Sequence, residues 1–303
     1  MKNSSITAQK FGSYQSYILK FKESQLQVVS GFGCNPIRLI LDGQQVLDGN
    51  DEIKKLEADF LCKGDFLAPF PNRISGGTYV FKDVEHQLIK NEVARGHALH
   101  GFVMKKSFEI VAQKESEEFT TATFKATIHE DEFQGYPFEI DINITFTLKA
   151  NSLEIHMDGK NLGKSEAPFG IGWHPYFTVG KKIDECNLRI PALSIMETDP
   201  AKELIPTGKH LPNTFGTDFK NIGTETFDTC FVDLVDQSVR FENIEMYMDN
   251  SMKYLQIYTP EDRNSIAIEP MTCAPDAFNN GLGLITLSSN EEVIRRFGIR
   301  IVQ

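Results

Sequence analysis

Hydrophobic and polar positions alternate in short runs along nearly the whole chain. "SYILKF" (16–21) and "QLQVVS" (25–30) open the series. "IRLILDGQQVLDG" (37–49) places a turn at Asp42-Gly43 between two such runs, the signature of a β-hairpin. "TYVFKDVEHQLIK" (78–90) repeats that plan. "FTTATFKATI" (119–128) and "EIDINITFTLKANSLEIHMDGKNL" (139–162) predict longer strands, the latter two joined near Ala150-Asn151. "YLQIYTPEDRNSIAIEP" (254–270) reads as a hairpin with Pro260 to Ser265 as its loop, and "EVIRRFGIRIV" (292–302) as a last strand. Helical spacing is scarce. Its best instance is "NDEIKKLEADF" (50–60), where Ile53, Leu56 and Phe60 recur three and four apart. Many strands, few helices and no linker, low-complexity tract or obvious repeat predict one large all-β domain of packed sheets over 1–303.

Composition changes this picture little. A chain of 303 residues, 41% hydrophobic and 24% charged, can bury a sizeable core as one large sandwich. The formal net charge of −11 disfavours nucleic acid and anionic membrane surfaces, which need a clustered positive face. No window of about 18 apolar residues suits a membrane span, and the N-terminus lacks the apolar run of a signal peptide. The five cysteines are far apart and form no CxxC pair, which predicts reduced, structurally buried thiols in a cytoplasm.

Candidate chemistry sits in five segments. In "SIAIEPMT" (265–272), alternation puts Ile266 and Ile268 on one face and Ala267 and Glu269 on the other. Glu269 then lies beside a small residue, at a strand end broken by Pro270, either facing a ligand or simply solvated. In "RGHALHGFV" (95–103), His97 and His100 stand three apart. No acidic or cysteine partner occurs at a zinc spacing, so a histidine donating to a ligand oxygen and one bonded to backbone are the better readings. Arg73 in "FPNRISGGTY" can offer a rigid fork of donors to ligand hydroxyls or form a surface salt bridge. Asp228 in "FDTCFVDL" can accept two hydroxyls or serve a turn. In "IGWHPYF" (171–177), Pro175 disfavours helix at His174 and leaves it extended among Trp173, Tyr176 and Phe177, rings that can pack on a flat polar ligand or fill the core. His156 alternates against apolar neighbours and is expected to face water, while His86, His129 and His210 carry no signal. GxSxG, GxGxxG and P-loop patterns are missing, which removes support for serine hydrolysis and nucleotide binding.

Taken in order, "PNRISGGTY", "HALHGF", "WHPYF", "DTCF" and "IEPMTCAPDAFN" resemble the aldose 1-epimerase (galactose mutarotase) family over nearly the whole chain. The resemblance implies a large antiparallel β-sandwich, the galactose mutarotase-like supersandwich, and an isomerase that interconverts the anomers of an aldose. It implies Glu269 as catalytic base and His174 as catalytic acid, on opposite sides of a pyranose. His100 would contact the ring oxygen or a neighbouring hydroxyl. Arg73, with Asn72 before it, and Asp228 would hold sugar hydroxyls, with Trp173 as a packing surface. No metal and no organic cofactor are required. The expected partner is a free monosaccharide, with no nucleic acid and no membrane, and the protein itself a monomer or homodimer. Departures from the family pattern, "LHGF" with Phe102, His97 before it, and "HPYFTV", are expected to border the sugar and alter which aldose is preferred. Two other readings are a hexose-6-phosphate mutarotase, which needs cations beside the site and has Arg73 and Arg95 to offer, and a carbohydrate-binding protein without turnover.

Overall fold

The structure, a computed structural model, describes residues 3–303. Two large antiparallel sheets face one another. The nine-stranded sheet runs, from edge to edge, through Glu109–Glu115, Thr120–Ile128, Ile140–Leu148, Ser152–Asn161, Glu292–Ile301, Ile244–Met248, Ser238–Phe241, Asn187–Arg189 and Lys220–Asn221. Strict alternation in Thr120–Ile128 sends Thr120, Ala122, Phe124, Ala126 and Ile128 into the core and the residues between them outward. Ile140–Leu148 and Ser152–Asn161 pair as a hairpin across residues 149–151, as their patterns predict.

The second large sheet orders Ile205–Pro212, Ala192–Asp199, Asp228–Leu234, Tyr254–Tyr258, Ile266–Met271, Gly172–Trp173 and Phe66–Leu67, with Tyr176–Phe177 also paired to Ile266–Met271. Aromatic contacts tie the sheets together. Phe66 meets Phe146 edge-on at 5.8 Å, and Trp173 lies over Phe297 at 5.8 Å. An N-terminal sheet, Ser4–Phe11 through Gln44–Gln45, packs Leu19, Leu26, Val28, Leu39 and Leu41 into the same continuous core. Its last turn has Asp42 and Gly43 both at positive φ, the mirror-image turn that matches strand twist. Lys82 and Asp83 make the same turn between Thr78–Phe81 and Val84–Gln87. This is the all-β stack of sheets that the alternation predicts, arranged as the antiparallel sandwich that the family resemblance implies.

Two local expectations need correction. The helix is only Ile53–Glu57, and Phe60 lies beyond it with 85% of its surface exposed. Ile53 and Leu56 do share a helical face, but Asp59 ends the pattern. Its carboxylate accepts the backbone N–H groups of Leu61 and Lys63, which turns the chain out of the helix. Second, Pro270 does not end its strand, which continues to Met271. The N–H groups of Ile268 and Thr272 both reach toward the Ile171–Phe177 side, to Pro175 O and Ile171 O. Two-residue periodicity aims the Pro270 nitrogen the same way, between the short strands Gly172–Trp173 and Tyr176–Phe177, where no ladder bond is needed.

Candidate active site

The second large sheet has one face in the core, carrying Leu255, Ile257, Ile266 and Ile268. Alternation puts Gln256, Tyr258, Ala267 and Glu269 on the other face. Register then sets Gln256 directly opposite Glu269, and Asp228 opposite Tyr258. The same two-residue period sorts "IGWHPYF". Ile171, Trp173 and Phe177 are fully buried in the core, while His174 and Tyr176 stack at 5.3 Å and line a cavity of about 280 Å³. Asn72, Arg73, His100, Asp228, Gln256 and Glu269 line it too.

At its floor, His174 Nε2 stands 3.3 Å from Glu269 Oε1. Glu269 is 1% exposed and His174 7%. Glu269 Oε2 and His174 Nδ1 are buried with no hydrogen-bond partner among the described residues. Such atoms are costly unless they meet a ligand, and most costly when the group is charged. Burial, then the charge of Asp228, pushes the Glu269 carboxyl well above its usual range, with Arg73 opposing. Burial likewise depresses the His174 imidazole. Both directions favour a pair that shares one proton in its neutral form, carboxylic acid beside imidazole.

The remaining groups come from two left-handed corners. Asn72 and His100 have φ of 58° and 64°, unusual for side-chain-bearing residues. The corners lock together: His100 N–H donates to Asn72 O at 2.9 Å, and Asn72 N–H donates to His100 Nδ1 at 3.2 Å. Because Nδ1 accepts, the neutral ring carries its proton on Nε2. Burial, with His174 and Arg73 nearby, holds His100 well below its ordinary value, so it is a neutral donor. Gly101 follows at φ 73°, where a Cβ would come within 2.1 Å of Ala68 O, so the glycine of "LHGF" is a steric necessity.

Arg73 is gripped by Glu92, through Nε at 2.8 Å and Nη2 at 2.9 Å, and the pair is largely buried. Arg95 also donates to Glu92 at 2.8 Å. Burial alone would raise the Glu92 carboxyl, but the two guanidiniums outweigh it and hold it below its usual value. Gln256 links the rest. Its amide donates to Asp228 at 2.9 Å and accepts from Asn72 Nδ2 at 3.4 Å.

The structure therefore brings Glu269, His174, His100, Arg73, Asn72 and Asp228 around one cavity. Trp173 is not on its wall. It is fully buried, stacked on Phe66 at 5.8 Å, with its indole N–H donated to Gly64 O at 3.0 Å, because odd positions of that segment face the core. Phe102 points away as well, stacked on Phe133 at 4.4 Å and edge-on to Phe70. His97 is held by the Gly76 N–H and faces Lys202 O. These two departures do not border the cavity, contrary to expectation. Neither do Glu269 and His174 face each other across it; they are neighbours. Of the five free cysteines only Cys62 lines the cavity, and the other four are buried. Gln256, Glu92 and Tyr258 were not singled out from sequence. The hairpin register of "YLQIYTPEDRNSIAIEP" contained the signal for Gln256, since it sits as far before the loop as Glu269 sits after it.

The sequence profile of the aldose 1-epimerase family matches residues 16–299. The chain belongs to the aldose 1-epimerase family. A protein of Escherichia coli (strain K12) named YihR and described as uncharacterized is 29% identical over 240 residues, which cover 75% of each chain. In three dimensions the epimerase fold is shared with a galactose mutarotase-like protein from Clostridium acetobutylicum, at a TM-score of 0.89, 18% identity and 99% coverage of both chains. A galactose 1-epimerase from Lactobacillus acidophilus NCFM superposes with a TM-score of 0.83, 14% identity and full coverage of both chains. No helix among the described residues of this epimerase-family chain is long and apolar enough to cross a membrane.

Proposed function

We propose that the protein interconverts the α and β anomers of a free aldose, with Glu269 and His174 as its acid–base pair. The observation that carries this reading is their 3.3 Å contact at the buried floor of the cavity. In a cyclic hemiacetal, O1 and the ring oxygen O5 are bonded to the same carbon. The groups serving them must therefore lie side by side, as these do. Glu269 as carboxylate takes the O1 proton. The C1–O5 bond breaks, its electron pair goes to O5, and protonated His174 delivers a proton there. The C1 aldehyde rotates about C1–C2, and the steps reverse on the other face. The pair holds one proton before and after ring opening, moved from imidazolium to carboxyl. Burial disfavours the ionised pair from which ring opening starts and favours the neutral one that follows it, so desolvation assists the two opening transfers and opposes the two closing ones. His100 donates to a sugar hydroxyl through Nε2. Arg73, Asn72 and Asp228 hold the others, braced by Glu92 and Gln256.

A phosphorylated substrate finds less support. Both arginines of the cavity are engaged by Glu92, and Asp228, which is bonded by the Gln256 amide and by no cation among the described residues, adds negative charge to the wall. A binding protein without turnover has no use for two ionisable groups buried against each other. The test is anomer exchange by NMR on a panel of free aldoses and their 6-phosphates, with wild type and His174→Asn. Exchange above the spontaneous rate is expected for at least one free aldose, and loss of it in the variant. Full activity of His174→Asn would remove the acid from the scheme.

A further inference from the structure

A working imidazole is ordinarily oriented by a hydrogen bond on the ring nitrogen that does no chemistry. His174 lacks one: its Nδ1 is buried with no partner among the described residues. Ladder bonds fix its backbone only. His174 N–H donates to Asp65 O, and Gly64 N–H to His174 O, both at 2.9 Å. The plane of the ring is left to its ring neighbours. Tyr176 stacks on it at 5.3 Å with 14° between the planes, and His100 meets it edge-on at 5.2 Å. His100 is already locked through Asn72.

Tyr176 is held from outside the cavity. Lys63 Nζ lies over the Tyr176 ring, 5.4 Å from its centroid. Lys63 is not part of the cavity wall, and its side chain is only 16% exposed. Its ammonium donates to Asp48 Oδ2 at 2.7 Å, the oxygen that also accepts the hydroxyl of the fully buried Ser265 at 2.7 Å. Asp48 in turn donates its own N–H to Tyr176 O at 2.9 Å. One residue thus grips the Tyr176 backbone directly and its ring through Lys63. An ammonium on a flexible stem stays over a ring only when a partner anchors it, and the attraction strengthens with desolvation. Resting on the acid–base reading above, we infer that Lys63, anchored by Asp48, is a positioning residue for the reaction: by holding the Tyr176 ring it sets the plane of the His174 imidazole and the direction of Nε2.

The test replaces Lys63 by Met, which keeps an apolar stem and removes the charge, and by Arg, whose guanidinium also stacks on rings. Anomer exchange by NMR is measured on the free aldose that the wild type turns over fastest. In Lys63→Met, kcat is expected to fall about tenfold with KM within about twofold, since the acid is misaligned while Arg73, Asn72 and Asp228 still hold the sugar. Lys63→Arg is expected to restore kcat to within about threefold of wild type. A second readout needs no turnover. In protein with isotope-labelled histidine, the His174 Cε1–H resonance, identified by its loss in His174→Asn, carries the ring current of Tyr176. It is expected to move in Lys63→Met and to stay in place in Lys63→Arg. An unmoved resonance in Lys63→Met overturns the inference, as does an unchanged kcat or a loss confined to KM. Should Lys63→Met fail to fold, Asp48→Asn, which keeps the backbone bond to Tyr176 and releases the ammonium, is held to the same outcomes. A resonance that moves as expected, in a protein whose wild type exchanges the anomers of no sugar, upholds Lys63 as what orients the imidazole and overturns the anomerase reading instead.

Discussion

Replacing Glu269 by Gln keeps the shape of the side chain and removes its ability to take a proton. General-base help is worth ~10²–10⁴-fold, and at about 1.4 kcal/mol per tenfold the barrier rises by about 3–5 kcal/mol. Anomerisation, followed by polarimetry on freshly dissolved α-aldose, should fall to near the spontaneous rate. The structure also sets the sign of the stability change. Unfolded, the Glu269–His174 pair binds two protons below the ordinary carboxyl value of 4.5, one between 4.5 and 6.5, and none above the ordinary imidazole value of 6.5. Folded, the raised carboxyl and depressed imidazole keep one proton on the pair across and beyond that window. Above pH 6.5 the folded state therefore binds the extra proton, and the wild type loses stability as pH rises, by at most about 1.4 kcal/mol per unit. That corresponds to roughly 3–6 °C of Tm per unit for a protein of about 150–250 residues, and less for this longer chain. In Glu269→Gln only His174 remains, neutral in both states above 6.5, so this site contributes no slope. The Tm difference between variant and wild type should widen from pH 6.5 to pH 8 in favour of the variant. Activity within tenfold of wild type, or a Tm gap that stays constant over that range, would refute the reasoning.

Two other outcomes follow from the same electrostatics. The competent pair carries one proton, so the rate should lie on a plateau that continues below pH 6.5, because His174 is depressed, and falls on the alkaline side only above the ordinary carboxyl range, because Glu269 is raised; an acid limb centred at 6.5 in the NMR exchange rate would show an ordinary imidazole. Asp65 is buried beside the site strand, and burial pushes its carboxyl up to about 8 despite the 2.8 Å bond from Asn35. A folded value above the unfolded 3.8 means stability is lost as pH rises between the two. Asp65→Asn removes that loss and keeps an oxygen to accept from Asn35, so calorimetric Tm should exceed wild type at pH 8 and converge near pH 4; a lower Tm at pH 8 would contradict it.

What the sequence determined by itself is whatever has a short period or a local cause. Two-residue alternation specified the long strands at the centre of each sheet, such as Thr120–Ile128, Ile140–Leu148 and Ile266–Met271, and Asp42-Gly43 specified a mirror-image turn. Alternation also separated Glu269 from Ile266 and Ile268, because neighbours on a strand must face opposite ways. The same rule, applied to "IGWHPYF", sends Trp173 inward and His174 outward. Ring chemistry alone does not sort them, since an indole suits a core as well as a sugar. Tertiary structure decided the rest. Nothing local reveals that Glu269 and His174, 95 positions apart, touch at 3.3 Å, or that Asn72 and His100 lock two left-handed corners together. Nor does the chain reveal that Phe102 faces Phe133 or that Phe60 stands in water. Those outcomes depend on which sheet face each loop crosses and on a few carboxylates, Asp59 and Glu92 among them, whose partners are chosen by packing.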